Sequence, residues 1–376
     1  MRADIFEDLF VLELASNHWG KLERGLKIIS DYGKVVRFNN VRAAMKLQFR
    51  DVNTFIHKDF RGRTDIRYIK KTLDTHMPWE NYEKMVKAVR AANMITMATP
   101  FDEMSVDKCV EFGVQIIKMA SSDTRDWFLI EKIATTGKPV IISTGGASLR
   151  DVDNVVSFFN KRNIPLAINH CVSIYPSRDD ELEINQVDFL RNRYPDNVIG
   201  FSTHEHTDWR NSLLLSYAKG ARTWERHVDI DYEGVPVSPY CSLPEQVDEW
   251  FKAFRKAQEM CGPPGVAKRR PPEKEIAYLD GLVRGVYARR PLAAGTALTA
   301  NDLYLAVPLQ QGQISCRELM SGEVLLNAVE PDQPIMFTNI DSPYSANSEL
   351  ATTIANRGID PRPPESAPPV SLVKKG

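Results

Sequence analysis

Eight short, apolar, β-branched runs recur between residue 9 and about residue 230, separated by segments of helical period. The runs are Leu9–Ala15, Ala44–Phe49, Ile95–Phe101, Ile116–Ser121, Pro139–Thr144, Pro165–Ser173, Val198–Thr203 and Arg222–Val228. Between them, Tyr82, Met85, Val86 and Val89, and again Val152, Val155, Val156 and Phe159, fall on one helical face. Eight strand–helix alternations in a span of this size predict an α/β fold of the (β/α)8, or TIM-barrel, type. A doubly wound sheet has the same periodicity. No Gly-x-Gly-x-x-Gly follows the first run, which argues against its dinucleotide-binding form.

The barrel pattern occupies residues 1–262. A Pro- and charge-rich stretch, GPPGVAKRRPPEK, then predicts a linker over 263–280. Short runs with frequent Gly and Pro predict a small β-rich domain over 281–341. Residues 342–376, ending PRPPESAPPVSLVKKG, are expected to form a flexible tail, because they carry too little apolar surface to order themselves.

Lys and Arg number 48 against 49 Asp and Glu, so no general basic field exists to hold nucleic acid or an anionic membrane. No stretch approaches the roughly 20 apolar residues needed to cross a bilayer. The N-terminal MRADIFEDLF lacks the basic-then-apolar order of a secretory signal. The five cysteines are scattered and odd in number, which fits neither a disulfide framework nor a zinc ribbon. A reducing, cytoplasmic setting is the expectation.

The ends of the runs carry the chemistry. Glu13, Lys46, Gln48, Thr99, Lys118, Ser121, Ser143, Ser173, Ser202, His204, Glu225 and His227 stand at or near C-terminal strand ends. In a barrel that rim is where active sites are assembled from separate strands. Lys46 interrupts the apolar run AAMKLQF, and with Lys118 and the surrounding hydroxyls it makes a sink for a small, highly charged anion. A phosphorylated acid suits that sink better than a nucleotide, since there is no Gly-rich phosphate loop. His204 and His227 close adjacent strands and suit a divalent metal such as Mn²⁺ or Mg²⁺. His206, two residues beyond His204, shares its face if the strand persists.

At these residues the chain resembles the N-acetylneuraminate (sialic acid) synthase family. Glu13-Leu-Ala-Ser-Asn17-His18-Trp-Gly20 is similar to the family's E-I-G-x-N-H-x-G, Lys46-Leu-Gln48 to V-K-F-Q, and Ala98-Thr99-Pro100-Phe101 to S-T-P-F. Lys118-Met-Ala-Ser121-Ser-Asp123 resembles K-I-A-S-x-[ED], and Ile142-Ser143-Thr144-Gly145 resembles I-x-S-T-G. His170-Cys171-Val-Ser173-Ile-Tyr175-Pro176, Gly200-Phe-Ser202-Thr-His204 and Glu225-Arg226-His227 resemble H-C-T-[SN]-x-Y-P, G-Y-S-D-H and E-K-H. Residues 281–341 resemble the antifreeze-like (SAF) domain that ends these synthases.

The resemblance implies a metal-dependent condensation of phosphoenolpyruvate with N-acetylmannosamine or a related aldose. It implies that Lys46, Thr99, Lys118, Ser121, Ser143, Ser173 and Ser202 hold phosphoenolpyruvate, and that Gln48, Asp123 and Tyr175 face the sugar. His204 and His227 would bind the metal, Mn²⁺ foremost. Glu13 is the candidate proton-transfer group. It further implies a domain-swapped homodimer in which Arg284 serves a partner's barrel. Three departures stand out. Pro236-Val-Ser-Pro239 replaces the family's Gly-Pro-Asp-His, Leu14-Ala15 replaces Ile-Gly, and two residues are inserted after the seventh strand. Counting back from His227 therefore selects His206 as the metal ligand, whereas the Gly-Phe-Ser motif selects His204. A metal-dependent hydrolase, suggested by His204-x-His206, and a non-catalytic sugar-binding scaffold are the competing readings.

Overall fold

A computed structural model of the chain describes residues 4–263, 265, 267–318, 323–341 and 347–362. It divides into two compact units, residues 1–264 and 265–376.

In the first unit, eight parallel strands close into a barrel in sequential order. They are β1 (Leu9–Ala15), β2 (Arg42–Phe49), β3 (Ile95–Pro100), β4 (Ile116–Met119), β5 (Val140–Ser143), β6 (Leu166–Cys171), β7 (Val198–Thr203) and β8 (Thr223–His227). Every expected run forms a strand, and closure through the β1–β8 pairing excludes the open-sheet alternative.

Alternation along each strand splits the side chains into two sets. Outward residues such as Phe10, Leu12, Met45, Ile117, Ile142, Ile168, Phe201 and Trp224 pack against the surrounding helices in the main core. Inward residues Leu9, Val11, Ala44, Met97, Ile116, Ile141, Ala167 and Val198 form a second apolar cluster, plugged by Phe6. One step of two residues further along the same inward faces, the side chains turn polar: Glu13, Lys46, Thr99, Lys118 and Ser143. The site is thus the upper layer of the barrel interior, standing on an apolar floor.

The second unit holds two antiparallel pairs. β9 (Gly285–Ala288) pairs with β10 (Leu303–Ala306), and β11 (Val324–Leu325) with β12 (Ile340–Asp341). They enclose a small core that includes Val286, Leu292, Leu298, Ile314 and Ile335.

Two expectations about the connecting segments need correction. The stretch read as a linker contains a helix, Glu273–Asp280, whose entry is shaped by Pro272 and whose first turn carries Glu273 and Glu275 against the helix dipole. The stretch read as a flexible tail contains the helix Ser348–Asn356, capped by the Asn347 side chain on Leu350 N. Ile354 of that helix is buried, and Arg357 pairs with Glu318 at 2.8 Å. An apolar anchor, an ion pair and the Gly312 N–H donating to the Ile354 carbonyl at 3.1 Å, all invisible to average composition, hold it. The remainder of the expected tail, 342–346 and 363–376, lies outside the described residues. Ile354→Ala is expected to destabilise the second unit by about 2–4 kcal/mol, the usual cost of emptying a buried aliphatic site. Chemical denaturation would check it; a change under about 0.5 kcal/mol would show the helix to be loosely attached. No described helix is long and apolar enough to cross a membrane.

Candidate active site at the barrel rim

Parallel closure brings the C-terminal strand ends to one rim, where they line a cavity of about 820 Å³. Glu225, on β8, is its hub. Its Oε1 accepts from Lys46 Nζ at 2.8 Å, Ser202 Oγ at 3.1 Å and Lys118 Nζ at 3.3 Å, so three strands besides its own meet at one carboxylate oxygen. Lys46 also pairs with Glu13, which accepts from Gln48 Nε2 at 3.3 Å. Lys118 donates to Ser143 Oγ at 2.6 Å. All four charged groups are buried.

Electrostatics follows from that burial. Desolvation pushes Lys46 down to about 7, with Glu225 pulling it back up and Lys118 adding to the depression. Burial alone would raise Glu225, but the ammonium groups of Lys118 and Lys46 outweigh it and hold the carboxyl well below the usual range. The Glu225 Oε2 atom and Thr99 Oγ1 are buried with no hydrogen-bond partner among the described residues.

Beside this charged centre, Ser121 Oγ accepts from Gly145 N at 3.1 Å. A Cβ on Gly145 would lie 2.2 Å from Ser173 Oγ and 3.0 Å from Ser121 Oγ, so glycine is what lets the two hydroxyls converge. Gly145→Ala is expected to weaken phosphoenolpyruvate binding roughly tenfold while costing about 1–3 kcal/mol of stability through overpacking. Calorimetric titration would check it. Unaltered affinity would place Ser121 and Ser173 outside the anion site.

On the opposite arc, His204 and His227 have ring centroids 5.5 Å apart. His204 Nδ1 lies 2.9 Å from the Val172 carbonyl, which assigns the proton to Nδ1 and leaves Nε2 as a lone-pair donor. Burial lowers His204 to about 4, and burial, with His204 and Lys46 beside it, holds His227 well below its ordinary value. Both imidazoles are therefore neutral. Tyr175 packs against His204 at a tilt of 42° with centroids 3.9 Å apart, and Tyr240 lies 5.2 Å from His227.

His206 is exposed and does not line the cavity. The strand ends at Thr203, and the buried Glu205 that follows is drawn outward by Arg226, at 2.8 Å, and by the Ser212 hydroxyl. The inserted residues thus carry His206 away from the rim, and the His-x-His pair that suggested a hydrolase does not form a site. Asp123 is set back from the cavity wall, its Oδ1 accepting from Ser122 Oγ at 2.7 Å. Arg284 belongs to the second unit and is exposed. Ser238, in the segment that departs from the family pattern, bonds Tyr240. Ala15 stands at φ 52°, where its methyl is strained and the family's glycine is at ease.

Several lining residues were not singled out in the sequence. Glu225 counts among the strand-end residues but is given no role of its own, on a strand, Thr223–His227, that is polar at every position but Trp224. Arg50 lies just past β2, and Arg67 and Lys71 lie on the helix Arg67–Asp74, which has no strand-end pattern to mark them. Tyr240 sits in the loop after β8.

A closed parallel barrel with cations, hydroxyls and paired imidazoles on its C-terminal rim defines a small-anion enzyme site of the TIM-barrel class. Residues 37–264 match the NeuB family and residues 283–341 match the SAF domain. The chain belongs to the NeuB family, with a C-terminal SAF domain. A solved structure from Chromobacterium violaceum, described as a spore coat polysaccharide biosynthesis protein E, is 37% identical with a TM-score of 0.85 and covers 89% of this chain and 100% of that one. The N-acetylneuraminate-9-phosphate synthase of Mus musculus is 26% identical over 88% of this chain and 92% of its own length. The N,N'-diacetyllegionaminic acid synthase of Campylobacter jejuni is 24% identical over 78% of this chain and 89% of its own length.

Proposed function

We propose that the protein condenses phosphoenolpyruvate with an N-acetylmannosamine-type sugar aldehyde, giving a nonulosonic acid and inorganic phosphate. One observation carries this reading: Lys46 and Lys118, from separate strands, meet at Glu225 on the same rim that presents His204 and His227. The names of two relatives, an N-acetylneuraminate-9-phosphate synthase and an N,N'-diacetyllegionaminic acid synthase, support it.

Lys46, Lys118, Thr99, Ser121, Ser143, Ser173 and Ser202 bind and orient phosphoenolpyruvate, as fixed donors around its phosphate and carboxylate. The enol carbon C3 forms the new bond to the aldehyde carbon, whose oxygen takes up a proton to become a hydroxyl; water adds at C2, and the C2–O bond to phosphate breaks to leave a ketone there. The lysines stabilise the phosphate as it leaves. Glu13, held by Gln48 and Lys46, takes the proton that the adding water gives up. Glu13→Gln is expected to lower turnover by about 10²-fold with little change in phosphoenolpyruvate affinity. Near-normal turnover would remove Glu13 from that role. Gln48 and Tyr175, lining the cavity, face the sugar; Asp123 would reach it only through a change in its Ser122 contact.

His204 and His227 would hold a divalent metal, Mn²⁺ or Mg²⁺. Two neutral imidazoles with an unpartnered Glu225 oxygen nearby fit such an ion, although no group of three His, Cys, Asp or Glu among the described residues is placed to enclose one. When bound, the metal supplies Lewis-acid polarisation of the aldehyde. The chain is further proposed to act as a homodimer in which Arg284 serves the second copy's barrel, and sedimentation as a monomer would end that proposal.

The deciding experiment measures phosphate release from phosphoenolpyruvate with Mn²⁺ and a panel of N-acetylated hexosamines, with mass spectrometry of the product. Sugar-dependent release is expected. No release across the panel would favour the sugar-binding scaffold.

A further inference from the structure

The proposed function leaves several cations of the cavity unused. Arg50, Arg67 and Lys71 line it, and none has a carboxylate within ion-pair distance among the described residues, whereas the neighbouring Arg63 and Lys70 do. Arg63 is bound by Asp65, ahead of the helix, and Lys70 by Asp74, so the one acidic residue of the helix that supplies Arg67 and Lys71 is already paired. Arg50 is held in place without a counterion. Its guanidinium stacks on Phe101, 3.7 Å from the ring centroid, and donates to Gln48 Oε1 at 3.0 Å. The three groups feel one another. Desolvation at the cavity wall lowers Lys71, and the positive charges of Arg50 and then Arg67 lower it further. Desolvation likewise brings Arg50 down to about 10. Three unpaired cations crowded on one wall raise the free energy of the free chain unless an anion binds there.

Phosphoenolpyruvate does not explain them. It is assigned to Lys46 and Lys118, whose charges Glu225 and Glu13 share in the free chain, together with five hydroxyl donors. The Arg50 side chain is instead tied to Gln48, on the sugar-facing side.

We propose that Arg50, Arg67 and Lys71 form a second anion subsite, which receives a phosphate group on the acceptor sugar. The acceptor is then a phosphorylated N-acetylated hexosamine, with its aldehyde at the histidines and its phosphate at the cavity mouth. This inference rests on the condensation reading but is tested apart from it. The probes are N-acetylmannosamine 6-phosphate and N-acetylmannosamine reduced to their alditols, which lack the aldehyde and cannot react. Each is titrated calorimetrically into the full-length, Mn²⁺-loaded protein containing phosphoenolpyruvate.

The phosphorylated alditol is expected to bind at least about tenfold more tightly, as charge-assisted bonds to two or three cations imply. In the Arg67→Gln/Lys71→Gln double variant that advantage is expected to disappear, with phosphoenolpyruvate affinity within about twofold of the parent. Equal binding of the two alditols, or an advantage that survives the double variant, overturns the subsite. A selective loss of phosphoenolpyruvate affinity in the variant also overturns it, by assigning the cations to the first substrate. Phosphate selectivity in binding without any phosphate release from the reactive sugars would leave the subsite standing and defeat the condensation instead.

Discussion

Glu225→Gln is expected to destabilise the barrel by about 3 kcal/mol and to make the protein unusually responsive to phosphoenolpyruvate. Glu225 compensates two buried ammonium groups, Lys46 and Lys118, through a single oxygen. Gln keeps the shape and loses the charge, leaving Lys118 without a carboxylate partner and Lys46 with Glu13 alone. Removing one partner of a buried ion pair exposes the desolvation cost of the other, and that cost dominates here because the groups are almost wholly shielded from water. A bound trianion would restore the missing negative charge. Phosphoenolpyruvate should therefore raise the thermal midpoint of the variant more than that of the parent, by ligand-linked stabilisation. Thermal unfolding with and without phosphoenolpyruvate tests both halves without requiring catalysis. Equal midpoints and equal ligand shifts would show that Glu225 is not the electrostatic centre of the site.

His204→Ala is expected to lower turnover by about 10²–10³-fold and to weaken Mn²⁺ binding by at least about tenfold, leaving the barrel folded. The ring is held by the Val172 carbonyl at Nδ1 and by the Tyr175 ring tilted against it. Such support is what a metal-binding imidazole needs to present Nε2 in a constant direction. His206→Ala provides the contrast. That residue is exposed and outside the cavity, so neither turnover nor Mn²⁺ affinity should change by more than about twofold. Manganese titration by electron paramagnetic resonance, alongside phosphate release, separates the two. The reverse pattern, with His206 sensitive and His204 silent, would return the ligand role to the residue chosen by counting back from His227.

The two insertions after β7 show why spacing alone left that choice open. Residue counting treats a loop as a fixed length, but Glu205 is captured by Arg226 and by the Ser212 hydroxyl, and this bends the chain outward immediately after His204. Ser212 lies seven residues on, in the next helix, and Arg226 twenty-one residues on, in the next strand, so no strand or helix period announces the turn. The helix Ser348–Asn356 was missed for a related reason. Average polarity described the segment correctly, yet a buried isoleucine, an arginine–glutamate pair and backbone hydrogen bonds to residues 309–312 dock it. Arg67 and Lys71 were overlooked because cations four residues apart on a polar helix look like solvated surface.

By itself the sequence determined the strands, their order and the face on which each polar residue lies, because alternation along a strand is a local property of the chain. It also marked Lys46, Lys118, Glu225 and the histidines as charged or metal-seeking groups at strand ends. Barrel closure alone decided that these ends face one another, since residues up to 179 positions apart, Lys46 and Glu225, become hydrogen-bonded only when β8 pairs with β1. Closure likewise decided which cations are neutralised and which are left over, because the partner of a buried charge is chosen by distance in space, where sequence separation carries no information.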